Sequence, residues 1–183
     1  RLRAICSKRN LVLIEDCAHV IPEDPARERE QPRPVGVHGD VLILSFGRDK
    51  AISGVSGGAA LTQHPGLAMK IASQERTAKQ CSLWHIHNFL AYPLRYRRAK
   101  KYWMNGAGKI YLRLLQMCRC LPPILTADEK RGNAGRTLRK LPNACAALAL
   151  QQLASVASFN AHRRNLAKEY LRIAQERGWE YPS

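Results

Sequence analysis

The amino-acid sequence predicts an α/β fold in which a mostly parallel sheet carries flanking helices. Two short apolar runs, Leu11–Ile14 and Val41–Leu44, have the length and aliphatic composition of strands buried in a parallel sheet. Each run ends in polar residues, as expected where a strand leaves a sheet. The last third of the chain repeats apolar residues at helical spacing, so helices should complete the fold.

The other elements of the first half are short. A helix end is expected at 2–8, and a polar, proline-punctuated loop at 22–34 should separate the two strands. Ala59–Thr62 is expected to form a third strand. A helix should begin at about Pro65, because proline is favoured in the first turn of a helix.

Two helices are predicted near the C-terminus. The first should begin at Asn143, after Leu141 and Pro142, and the pattern of apolar residues breaks at Phe159–Asn160. A second helix is therefore expected over 161–176, with Gly178 as a plausible C-terminal stop.

Composition narrows the class of protein. A chain of 183 residues with 45% hydrophobic residues can bury a sizeable core, which argues against a disordered protein. No apolar run approaches the roughly 20 residues of a membrane span, and no signal-peptide pattern is present. The six cysteines match no zinc-binding spacing, so they are expected to be reduced packing residues in a cytoplasmic protein without a metal site.

Polar residues at the ends of the two predicted strands are the first indication of function. Asp16 and His19 follow the first strand, whereas Ser45 and Lys50 follow the second. Open α/β sheets place their chemistry at the carboxyl ends of strands, although most loop lysines are simply solvated. A lysine with a strand-end aspartate is what pyridoxal phosphate needs: the amine bonds to the cofactor, and the acid keeps the pyridine nitrogen protonated.

Several motifs carry a resemblance to a known family. In order they are EDCAH at 15–19, VGVHGD at 35–40, the serine-to-lysine segment 45–50, the Gly57–Gly58 pair, NACAALALQQL at 143–153 and RRNLA at 163–167. Together they resemble the DegT/DnrJ/StrS-type aminotransferases, which are fold-type I pyridoxal phosphate enzymes that mostly aminate nucleotide-linked keto-sugars. The resemblance covers roughly two thirds of the chain in the right order and spacing.

The resemblance implies a role for each strand-end residue. Lys50 matches the lysine that bonds to the cofactor and moves the proton in transamination, so it is the expected catalytic residue. Asp16 matches the acid that pairs with the pyridine nitrogen, and His19 matches a residue near the phenolic oxygen. Ser45 matches a hydroxyl that binds the cofactor phosphate. Gly57–Gly58 should let backbones approach where a side chain would not fit.

The sequence also departs from the family pattern. Ser56 stands where the relatives often have glutamate. The relatives carry an Asn-x-Arg sequence shortly before the Asn143 helix, and its asparagine reaches the phosphate of a neighbouring subunit. This chain has Leu138–Lys140 at that place, and Asn133 is displaced from it.

The resemblance divides the chain into three parts. Residues 1–79 correspond to part of the cofactor-binding large domain, and 131–183 to helices that link it to a small C-terminal domain and pack at the dimer interface. The chain begins on Arg1 inside a predicted helix, so we expect a fragment of a longer, homodimeric parent. The portion outside it should supply part of the phosphate cup and the aromatic ring that stacks on the cofactor.

Residues 80–130 fit the family least and are expected to form an inserted, basic, aromatic helical region. Its charge contributes to an excess of 30 Lys and Arg over 14 Asp and Glu, a formal net charge of +16. Three interpretations remain: an ordinary helix with a solvated basic face, an interfacial helix of 92–119 on an anionic membrane surface, or nucleic-acid binding. The last is not expected, because no nucleic-acid motif accompanies the charge.

Two classes of function are consistent with these patterns. The first is an aminotransferase that moves an amino group from an amino acid such as glutamate to a nucleotide-linked keto-sugar. The second is a truncated or degenerate paralogue that binds a partner or a membrane surface. Lys50, Asp16 and Ser45 favour the first class, whereas the missing Asn-x-Arg sequence and the basic insertion favour the second.

Overall fold

A three-stranded mixed sheet lies in the part of the chain that the computed structural model describes, namely residues 2–22, 35–121, 130–133 and 138–180. The strands are β1 (Ile14–Asp16), β2 (Val41–Ser45) and β3 (Gly58–Leu61), in the order β1-β2-β3. β1 and β2 are parallel, as predicted, but β3 pairs with β2 in the antiparallel direction. The connection from β2 to β3 contains no crossover helix, and without one the chain returns antiparallel.

The described residues contain six helices, which makes the fold α/β as predicted. They are α1 (Leu2–Lys8), α2 (Pro65–Thr77), α3 (Leu83–Lys101), α4 (Ala107–Met117), α5 (Asn143–Leu153) and α6 (Val156–Glu176). The predicted helix starts at Pro65 and Asn143 are confirmed. Most of the predicted loop, residues 23–34, lies outside the described residues.

The first strand differs from its prediction. Leu11 and Val12 are more than half exposed, and β1 begins only at Ile14. The N–H of Leu13 donates to the Asp40 carboxylate at 2.8 Å instead of joining the ladder of strand hydrogen bonds. The apolar run therefore leads into an edge strand of the described sheet and is not buried.

The break between the last two helices was also predicted at the wrong place. The helices separate at Ala154–Ser155, and α6 continues through Phe159–Asn160 to Glu176. Asn160 is accommodated inside the helix because its side-chain amide donates to the carbonyl of Ile21 at 3.0 Å. Its side chain thus bonds to a distant segment and does not compete with the helix backbone.

A small apolar core joins the segment after β2 to the last two helices. Ile52 is fully buried and packs with Ile21, with Ala149 of α5 and with Val156 of α6. Phe46 and Ala51 pack against this cluster. The two residues that follow Lys50 are therefore fixed to α5 and α6 by burial of apolar surface.

Asp40 connects four segments at the end of the sheet opposite Asp16 and Ser45. Its carboxylate accepts hydrogen bonds from the N–H of Leu13, from Arg3 of α1 at 2.6 Å and from His64, just before α2, at 3.0 Å. The N–H of Leu13, the Arg3 guanidinium and His64 lower the pKa of Asp40 to about 2. The ionised form is therefore the one that the fold stabilises.

We expect Asp40→Asn to lower the free energy of unfolding at neutral pH. The folded-state pKa lies below the unfolded value of about 3.9, so the stabilisation is present above about pH 4 and disappears as the pH falls through about 2. The difference in urea midpoint between the two proteins should shrink over that interval. Asp49→Asn, at an exposed aspartate, is the control. A difference in urea midpoint between wild type and Asp40→Asn that stays constant with pH would show that ionised Asp40 is not the source of the stabilisation.

Candidate functional site

Asp16 and Ser45 lie at the same edge of the sheet. Asp16 ends β1, Ser45 ends β2, and the parallel register pairs Asp16 with Ile43. Because both strands run in one direction, the polar residues that follow them emerge together. The edge predicted from the sequence to carry the chemistry is thus formed by two adjacent parallel strands.

The side chains of Lys50 and His19 meet beyond this edge. Lys50 Nζ lies 3.0 Å from His19 Nε2, although the two residues come from different strand exits. With Lys50 as an ammonium, only Nε2 can accept in this contact. The Lys50 side chain is 15% exposed, and its Nζ lies 3.8 Å from a carboxylate oxygen of Asp49.

Hydrogen bonds close the segment 46–57, here called the Lys50 loop. The N–H of Phe46 donates to the carbonyl of Gly57 at 2.8 Å, and the N–H of Gly54 donates to the carbonyl of Phe46 at 3.0 Å. Inside the loop, the N–H of Lys50 donates to the carbonyl of Gly47 at 3.3 Å. The loop is therefore a compact, internally bonded unit that presents the amine of Lys50.

Gln152 of α5 holds this loop from outside. Its side-chain oxygen accepts from the N–H of Ser53 at 3.1 Å, and its side-chain nitrogen donates to the carbonyl of Ser53 at 2.7 Å. Both backbone groups of Ser53 are thus satisfied by one side chain, as a strand partner would satisfy them. Gln152 belongs to the motif at 143–153, and no role was predicted for it from the sequence. Its position four residues after Leu148 and seven after Cys145, on the apolar side of α5, is the signal that could have found it.

Two residues of α6 hold the chain after β1. Arg163 donates to the carbonyl of His19 at 3.4 Å, and Asn160 donates to the carbonyl of Ile21. Arg163 belongs to the motif 163–167, and this hydrogen bond is a structural role that was not predicted for it. The two strand exits that carry His19 and Lys50 are therefore positioned by neighbouring helices, α6 and α5.

The backbone at the end of the Lys50 loop adopts conformations that constrain its sequence. Gly57 has a φ of +105°, and a Cβ on Gly58 would collide with the carbonyl oxygen of Leu44 in β2. The predicted close approach at this glycine pair is confirmed. Val55 also has a positive φ, +69°, which a β-branched residue adopts only when its surroundings enforce it.

Glu15 explains the sequence motif at 35–40. Its carboxylate accepts hydrogen bonds from the N–H groups of Gly36, His38 and Gly39. Burial by itself would raise the pKa of Glu15, but these backbone N–H groups and the nearby His38 lower it below its usual value. Glu15 thus shapes the turn into β2, whereas the neighbouring Asp16 ends β1 at the site edge.

The stretch that departs from the family pattern has a structural role here. Arg139 forms a β-bridge with Lys79, the N–H of Lys79 donates to the carbonyl of Leu138, and the N–H of Lys140 donates to the carbonyl of Lys79. Its backbone is therefore committed to pairing with the segment between α2 and α3. Asn133 is exposed.

The described residues offer no second kind of site by metal-ligand clustering, disulfide pairing or membrane-spanning length. No group of three or more His, Cys, Asp or Glu that could hold a metal occurs within residues 2–22, 35–121, 130–133 and 138–180. The six cysteines, all of which are described, form no disulfide. No helix in the described ranges has the length and hydropathy that a membrane span requires.

Fold and site together define an α/β protein with an amine, an imidazole, a hydroxyl and a carboxylate at one sheet edge. The sequence pattern of the DegT/DnrJ/EryC1/StrS aminotransferase family matches residues 1–181, and the chain belongs to that family. Its members depend on pyridoxal phosphate, generally aminate sugars and typically form dimers. A search of curated proteins found no match to the chain.

Proposed function

We propose that this protein transfers an amino group from an amino acid such as glutamate to a nucleotide-linked keto-sugar. The observation that carries the proposal is the meeting of two strand exits, with Lys50 Nζ 3.0 Å from His19 Nε2 beside the ends of β1 and β2. Family membership supports the reaction class. Aminosugar biosynthesis, for a polysaccharide or an antibiotic sugar, is the process that such a reaction would serve.

The donor set of the site fits pyridoxal phosphate. Lys50 would bond to the cofactor and carry protons, Asp16 would pair with the pyridine nitrogen, and Ser45 would bind the phosphate. His19 would hold the Lys50 amine in place and lie near the phenolic oxygen. When bound, the cofactor supplies an electron sink for the pair left by the departing proton.

Lys50 has the setting that proton transfer needs. Its loop is anchored by the buried Ile52 and by Gln152, so the amine is held at a fixed position. One amine that first removes a proton and then returns it acts as both base and acid. His19 can accept a hydrogen bond from the charged amine. A change of imidazole tautomer would let the same nitrogen donate when that amine loses its proton.

We propose the same three-part organisation that the sequence suggested: 1–79 for cofactor binding, 80–130 as an insertion and 131–183 as a helical link. A homodimer in the cytoplasm is the proposed form of the full-length protein. The contacts of α5 and α6 with the Lys50 loop support a role for the last part in completing the site.

The alternative is a non-catalytic paralogue, and the pairing of Leu138–Lys140 with Lys79 favours it, because that stretch is engaged within the chain. The first half-reaction, in which the amino donor reacts with the cofactor, distinguishes an aminotransferase from a non-catalytic paralogue. Full-length protein loaded with pyridoxal phosphate and mixed with glutamate should release 2-oxoglutarate and convert the cofactor to its amine form. Binding of the cofactor without this conversion would favour the paralogue.

We expect Gln152→Leu to weaken cofactor binding and slow amination while the fold is kept. The change keeps much of the side-chain volume but leaves the N–H and carbonyl of Ser53 without these partners, a cost of about 1–3 kcal/mol. Gln151→Leu, at the exposed neighbour, is the matched control. Titration with pyridoxal phosphate should show about a tenfold loss of affinity for Gln152→Leu only. Equal affinities of the two variants would show that Gln152 does not support cofactor binding.

A further inference from the structure

Helix α4 has two apolar faces, and among the described residues only one of them is packed against another helix. The inner face begins at Gly108, which is buried against Ala99 of α3 so closely that a Cβ would collide with the Ala99 carbonyl. Leu112 and Leu115 follow at helical spacing and are partly buried. Gly108 therefore marks the side of α4 that packs on α3.

The second face is exposed. Ile110, Leu114 and Met117 recur at intervals of four and three residues, which places them on one side of the helix, nearly opposite Gly108. They are 64%, 54% and 73% exposed. Three large apolar side chains in a row on the outside of a helix indicate a surface that binds something apolar.

Cations border this face. Lys109 and Arg113 lie beside the apolar row, and Lys109 Nζ lies 5.5 Å from the centre of the Trp103 ring. A groove of about 560 Å³ runs along this border. It is lined by Trp103, Lys109, Leu112, Arg113, Gln116 and Met117.

The surrounding sequence is free of opposing charge. No Asp or Glu occurs between Glu75 and Asp128, while α3 ends in the exposed residues Arg97, Arg98, Lys100 and Lys101. Arg95 is different, because it donates to the buried Asn88 and to the carbonyl of Cys120 and thereby ties α3 to the segment after α4. The exposed basic residues of this region thus lie at the end of α3 and along α4.

We propose that the outer face of α4 docks on an anionic phospholipid surface. Ile110, Leu114 and Met117 would enter the headgroup boundary, Trp103 would lie at its level, and Lys109 and Arg113 would pair with lipid phosphates. A second copy of the chain would bring the same cations together, which is unfavourable. Nucleic acid would satisfy the cations but would leave the apolar row without a partner.

The test uses the full-length protein and vesicles of phosphatidylcholine mixed with phosphatidylglycerol. The protein should sediment with these vesicles at low salt, bind pure phosphatidylcholine at least about tenfold more weakly, and dissociate as salt screens the charges. Ile110→Ser combined with Leu114→Ser should lower binding about tenfold. Leu166→Ser with Tyr170→Ser, on the exposed surface of α6, is the matched control and should leave binding unchanged.

The charge contribution is tested separately. Lys109→Gln with Arg113→Gln should lower binding about tenfold, whereas Arg76→Gln with Lys168→Gln, at exposed positions elsewhere, should lower it less. Vesicle binding should also shift the tryptophan fluorescence to the blue, and Trp103→Phe should remove that shift while binding persists. This readout does not depend on the stability of the serine variants.

Several outcomes would overturn the proposal. Among them are equal binding to neutral and anionic vesicles, and vesicle binding that none of the α4 variants changes. A serine double variant that dissociates an oligomer without any vesicle present would assign the face to a second copy. Binding of duplex DNA that Lys109→Gln with Arg113→Gln weakens and the serine variants do not, with no binding to vesicles, would assign the cations to nucleic acid.

Discussion

Lys50→Met should abolish amination by the full-length protein and remove the covalent link to its cofactor. The amine of Lys50 is proposed to carry the proton as well as the bond, and positioned acid–base groups are typically worth about 100- to 10 000-fold in rate. Borohydride reduction of the wild-type protein with pyridoxal phosphate should leave a pyridoxyl group on Lys50. Peptide mass spectrometry then identifies the modified residue.

The matched control for this experiment is Lys70→Met on the exposed surface of α2. It should retain the absorption of the bound cofactor and the modification at Lys50. A pyridoxyl group found on another lysine, or on none, would contradict the aminotransferase proposal. His19→Ala adds a second comparison: it should keep the link and lower the rate, because the amine loses its 3.0 Å neighbour.

Asp16→Asn should separate cofactor attachment from catalysis. The variant keeps Lys50 and should still bond to pyridoxal phosphate, but an unprotonated pyridine is a poor electron sink. The half-reaction with glutamate should slow by about 100-fold or more, the usual loss when one preorganised charge is removed from a site. Stopped-flow absorbance of the loaded full-length protein measures both properties in one experiment.

Asp49→Asn tests whether position matters more than the mere presence of an acid. Asp49 lies 3.8 Å from Lys50, but its side chain is 67% exposed and solvent screens its charge. Its replacement should cost far less rate than that of Asp16. Near wild-type turnover in Asp16→Asn, or equal losses in both variants, would show that Asp16 does not hold the proposed role.

The sequence predicted those parts of the fold in which short-range chemistry decides the outcome. The strand at Val41 was readable from four consecutive aliphatic residues, and the helix at Pro65 from a proline in its first turn. The strand-end positions of Asp16 and Ser45 followed from the apolar runs Leu11–Ile14 and Val41–Leu44. The edge of the candidate site could therefore be predicted.

Long-range contacts account for what the sequence did not predict. The direction of β3 depends on how the Lys50 loop folds back, and the start of β1 depends on a hydrogen bond from Leu13 to Asp40, 27 residues away. The continuation of α6 through Asn160 depends on a partner at Ile21. Neither composition nor periodicity near these residues carries that information.

The contact between Gln152 and Ser53 also imposes an order in time during synthesis of the chain. The two residues are 99 positions apart, and a ribosome that adds about 5–20 residues per second needs roughly 5–20 s to reach the second after the first. During that interval the nascent Lys50 loop lacks both the hydrogen bonds to Ser53 and the burial of Ile52 against α5 and α6. The proposed capture of pyridoxal phosphate by Lys50 is therefore expected to follow the emergence of α5 and α6 from the ribosome.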